Sequence, residues 1–93
     1  MGREKVTPEK LKKYFSITKQ AFAKAKKADS SRIKEKKEIL DMVKNYITDA
    51  VYFEKKGDIV NAFAALAYAH GWLDCGARLK IYNVSDSRLF VVD

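Results

Sequence analysis

The chain has 93 residues and a mass of 10.6 kDa, which is one domain with one small core, too short for an α/β barrel, a dinucleotide-binding domain or a P-loop domain. Apolar residues make up 47% and charged residues 33%, a balance that argues against disorder. The net charge of +7 is lopsided: residues 1–44 hold 14 Lys/Arg against 6 Asp/Glu, and residues 45–93 hold 5 against 6.

The first helix is predicted over about residues 8–28. Thr7 suits the N-cap, Pro8 the first helical position, and Glu9 the positive end of the dipole. Leu11, Tyr14, Phe15, Thr18, Phe22 and Ala25 share one arc, while Lys12, Lys13, Lys19, Lys24, Lys26 and Lys27 fall outside it. Asp29-Ser30-Ser31 ends this helix and is expected to cap the next.

The second helix spans about residues 32–56. Ile39, Val43, Tyr46, Ala50 and Phe53 form a heptad-like seam, and Leu40, Ile47 and Val51 form a second stripe beside it. Two stripes call for two helical neighbours. Lys55-Lys56-Gly57 is a helix-end signature, and Asp58 immediately caps the third helix. So short a connection makes the second and third helices antiparallel neighbours.

The third helix is predicted over about residues 59–81. Ile59, Phe63, Leu66, His70, Leu73, Ala77 and Ile81 make a continuous stripe, with Ala65, Tyr68, Trp72 and Leu79 on nearly the opposite side. Its small residues, among them Ala62, Ala69, Gly71 and Gly76, permit close backbone approach. A helix apolar on most of its circumference is the buried one, so the Tyr68/Trp72/Leu79 face needs a cover: the C-terminal tail, another subunit or a partner. Residues 82–93 open turn-like at Asn83-Val84-Ser85-Asp86-Ser87 and close on the strand-prone Leu89-Phe90-Val91-Val92. They read as an extended arm across the third helix, or as a strand pairing with another chain. The fold class is therefore all-α: an antiparallel up-and-down three-helix bundle, one domain over 1–93, with an extended C-terminal arm.

The stretch Tyr52-Phe53-Glu54-Lys55-Lys56-Gly57-Asp58, followed by Asn61 through Leu79 with its Tyr68-Ala69-His70-Gly71-Trp72-Leu73-Asp74 run, resembles a family of small archaeal proteins, the domain of unknown function 357. The resemblance covers about Tyr46 to Leu79. The first helix matches only in pattern, and Leu89-Phe90-Val91-Val92 is similar to the family's C-terminal end. It implies an up-and-down three-helix bundle and a cytoplasmic archaeal protein, and it implies no reaction. Relatives joined to nucleotidyltransferase-like domains imply an accessory role near nucleotide chemistry.

Among chemistry-bearing residues, His70 is the single His and Asp74 follows one turn later. Pairing positions about Gly57 sets Asn45 and Tyr46 opposite His70 and Asp41 near Asp74, which would offer a hard-ligand trio of Asp41, His70 and Asp74. The plainer reading is a core histidine bonded to Tyr46 or a carboxylate. Asp49, at the edge of the seam, either joins that polar core or is a surface charge. Tyr68, Trp72 and Leu79 are the candidate partner surface.

Lys24, Lys26, Lys27, Arg32, Lys34, Lys36 and Lys37 surround the first connection as a candidate anion or nucleic-acid patch. No aromatic interleaves them, and 15 of the 19 basic residues are Lys, which lacks the bidentate fork of Arg. The plainer reading is a solvated face. An Arg four to six residues before His70, as in HEPN-type ribonucleases, is missing, and no Ser/His/Asp or Cys/His triad or Gly-rich phosphate loop is recognisable.

The single Cys75 supports neither an internal disulfide nor a Cys-based zinc site and makes the cytoplasm the expected compartment. The opening Met1-Gly2-Arg3-Glu4-Lys5 leads into no apolar signal region, and the longest apolar run, Ala62 to Ala69, is too short for a bilayer. The expectation is a non-enzymatic protein-interaction or assembly module, self-associating or docking a protein partner. The alternative is a nucleic-acid or anion-binding accessory protein using the basic region. No cofactor and no membrane are expected.

Overall fold

Thr7 is extended, and its hydroxyl accepts the Lys10 backbone N–H at 3.1 Å, so α1 starts at Pro8 and runs to Lys27. The computed structural model describes residues 6–90; among these there are three helices and no strand. Leu11, Phe15, Thr18, Ala21 and Ala25 are the buried side of α1. Tyr14 lies at the margin, its ring edge-on to Phe63 at 4.8 Å.

The second helix, α2, runs over Ile33–Lys55. The capping expected from Asp29-Ser30-Ser31 does not form. Arg32 holds the N-cap position with no side-chain bond, because the Ser30 hydroxyl turns instead to the tail, donates to the Ile81 carbonyl and accepts the Arg32 N–H. At the other end the helix closes as expected on Gly57, whose φ of 78° only glycine adopts at no steric cost. The Asp58 N–H reaches back to the Phe53 carbonyl and the Gly57 N–H to the Glu54 carbonyl, a Schellman turn. Asp58 then caps α3, accepting the Asn61 N–H at 3.1 Å.

The third helix, α3, covers Ile59–Arg78 and buries Ala62, Ala65, Leu66, Ala69, Leu73, Gly76 and Ala77. It is the shared element of the bundle. α2 packs along it, α1 packs on it too, and α1 and α2 meet each other little. Ala65 belongs to this core and not to the Tyr68 side where helical spacing set it. The helix also stops one turn before the expected Ile81. Lys80 takes a left-handed φ of 59°, with the Ile81 N–H bonded to the Gly76 carbonyl and the Lys80 N–H to the Ala77 carbonyl.

That reversal decides where the tail goes. Ile81 and Tyr82 turn inward, and the Asn83 N–H bonds the Asp29 carbonyl beside the first connection. The chain then runs back along α1 and α3. Residues 86–90 make a single turn in which the Asp86 carbonyl accepts the Leu89 and Phe90 N–H groups. Leu89 and Phe90 are buried in one cluster with Ala21, Ala25, Val43, Leu73 and Ala77. The described part of the arm therefore packs within its own chain, and Leu89 and Phe90 are not a strand. Val91 and Val92 lie outside the described residues.

Candidate functional site

Of the three covers expected for Tyr68, Trp72 and Leu79, the C-terminal tail, another subunit or a partner, the described part of the tail is not one. The described part of the arm lies on the α1 side of α3, and these three side chains are 63%, 39% and 63% exposed. They share the outward face with Ala67, Gly71 and Cys75, which stand between the rings as the floor of a shallow depression of about 350 Å³. Small residues on a helix let another backbone come close, and flanking aromatics supply large rigid contact area. Tyr46 of α2 extends the patch, its ring stacked on Tyr68 at 5.5 Å and 25°.

His70 and Asp74 sit on a different side. The His70 Nε2–H donates to the Leu89 carbonyl at 2.7 Å, and Nδ1 takes the buried Thr18 hydroxyl at 3.4 Å. Both ring nitrogens are engaged, so the imidazole ties α1, α3 and the tail together. Asp74 Oδ1 lies 3.8 Å from Nε2. His70 is half-buried, and its ring bonds go to Thr18 and Leu89, not to Tyr46 or a carboxylate. The hairpin pairing fails here because His70 points to the α1 side of α3, away from α2. Asp49 is exposed on α2. The Asp41, His70, Asp74 trio is not assembled, and no group of three His, Cys, Asp or Glu able to hold a metal occurs among the described residues. A depression of about 420 Å³ runs past His70 and Asp74, floored by Tyr14, Ile17 and Phe63 and closed by Arg88.

Three of the seven residues of the basic cluster have work within the fold. The Lys36 ammonium donates to the Lys26 and Ala28 carbonyls at 2.9 and 2.6 Å, closing the C-terminal end of α1. Lys24 pairs with Asp86 at 3.1 Å, and Arg32 with Glu35 at 3.4 Å. Asp86 also holds Arg88 through both carboxylate oxygens. These bonds from Arg88 and Lys24 hold its carboxyl well below the ordinary carboxylate range.

Two features escaped sequence reasoning. Tyr82 is fully buried and donates its hydroxyl to the Leu73 carbonyl at 2.6 Å, and burial, with Asp74 and Cys75 nearby, pushes the phenol above its usual range. The second is an open groove between the C-terminal half of α1 and the N-terminal half of α2. Of the stripes read from the sequence only Leu40 lines it, beside Phe22 of α1 and the exposed Ile33.

No helix among the described residues is long and apolar enough to cross a membrane. A family model described as "Protein of unknown function (DUF357)" matches residues 13–82, three quarters of the chain, and so reaches beyond the Tyr46–Leu79 block to α1 and Tyr82. No curated protein and no solved structure matches the chain.

Proposed function

The chain belongs to the DUF357 family, and on that footing we propose that it is a non-enzymatic assembly module that docks protein through the outward face of α3. The observation that carries this reading is the exposure of Tyr68, Trp72 and Leu79 on the helix that forms the centre of the fold. Scattered exposed apolar residues are ordinary, but a contiguous row of two aromatics and a leucine over a small-residue floor has the make-up of an interface core. Charge supports it. The sequence has 15 lysines and α3 contains none of them, its one basic residue being Arg78 at the C-terminal end, so this helix meets a neighbour with less repulsion than the lysine-rich α1 and α2.

Light scattering over a range of concentrations tests the proposal together with Trp72→Ala. Concentration-dependent association that weakens in the variant is the expected result. A strict monomer at every concentration, with capture of partners from the native cell unchanged by Trp72→Ala, contradicts it.

A further inference from the structure

Leu40, at the N-terminal end of the second stripe of α2, is half-buried and also lines open space between α1 and α2. α1 and α2 both lean on α3 and meet each other little, which leaves between them a groove of about 600 Å³. Its floor is Phe22, Ala28 and Leu40, and Ile33 stands at its mouth, 72% exposed. Ile33 and Leu40 are seven residues apart, two turns of one helix face. Lys26, Lys36, Lys37 and Lys44 line its edges against Asp29 and Asp41. From Ile33 to Lys44 the face is about 16 Å long, three turns of helix.

We infer that this groove seats an acidic amphipathic helix of another protein, as a fourth helix laid between α1 and α2. The shape is that of helix-in-groove recognition, in which apolar anchors at i, i+3/i+4 and i+7 enter a cleft between two helices. The rim fixes the sign of the partner. The lining holds four Lys against Asp29 and Asp41, and the surrounding residues 24–37 hold seven Lys/Arg against Asp29 and Glu35, a net of +5, which favours a negatively charged flank and repels a second copy of this chain. The floor favours protein over nucleic acid. Phe22, half-buried, is the one aromatic in the lining, and the cations of the rim are all Lys, without the bidentate fork of Arg. This site is separate from the α3 face, so either proposal stands or falls without the other.

The probe is a fluorescein-labelled peptide of about 18 residues, Leu at the heptad a and d positions and Glu elsewhere, followed by anisotropy at low and moderate salt. Saturable binding is expected, weakened about tenfold by Ile33→Asp and by Lys37→Glu. Both positions are exposed, and unchanged circular dichroism verifies that the variants fold. Amide shifts on binding should gather at Phe22, Ile33 and Leu40 and spare Trp72. A Leu/Lys peptide of the same pattern should not bind. Failure of the acidic peptide to saturate, or binding indifferent to Ile33→Asp, overturns the inference. So does a single-stranded oligouridylate that binds more tightly than the peptide and responds to Lys37→Glu but not to Ile33→Asp.

Discussion

Tyr82 shows how much one side chain settles. Its ring fills the space over Gly76 so closely that a Cβ built there meets the ring carbons Cε2 and Cζ at 2.6 Å. The ring cannot simply swing away, because it is buried and its hydroxyl is bonded to the Leu73 carbonyl. Gly76→Ala is therefore an overpacking change, expected to cost about 1–3 kcal/mol and to loosen the tail, read from urea unfolding. Asp86 is a second such point. Its carboxyl is held below its unfolded value, so the stability it contributes is complete above the unfolded pKa and fades as pH falls from about 4 toward the folded one. The denaturant midpoint should drop through that acid range in the wild type. Asp86→Asn should lower the midpoint at neutral pH and flatten this part of the profile, and a variant with an unaltered acid profile would contradict the role given to Asp86.

At the scale of elements, the helices were legible because each carries its own boundary chemistry. Thr7-Pro8 and Asp58 are caps that act within one turn, and Gly57 satisfies a backbone requirement that depends on no distant residue. The misplaced features all depend on tertiary partners. Ser30 has the composition of a cap for α2 but serves the tail. Spacing about Gly57 pairs His70 across the α2–α3 hairpin, whereas its bonds go to Thr18 and Leu89, a contact that only the path of the tail creates. That path turns on Lys80 adopting a left-handed conformation that no glycine announces. Gly76 was legible as a point of close approach, but the approaching group is a tyrosine ring and not a helix backbone. The aromatic face of α3 was visible from spacing alone. Which side of the helix the arm covers was not, because the same periodicity fits both sides.

For the whole molecule, the lysines are gathered away from α3. Fourteen of the 15 lysines precede Gly57, and α3 presents Tyr68, Trp72 and Leu79 without one. Such a distribution keeps a basic chain dispersed while leaving one lysine-poor face on which another surface can close. Trp72 is the single tryptophan and stands in that face, so its emission reports the face directly. The decisive measurement is the position of that emission during dilution from millimolar to submicromolar protein, under native conditions. If α3 is an assembly surface, the emission of the concentrated protein is that of a shielded indole, and it moves to the solvent-exposed position on dilution with a midpoint that Tyr68→Glu shifts upward. An indole equally exposed at every concentration, and indifferent to Tyr68→Glu, contradicts the account.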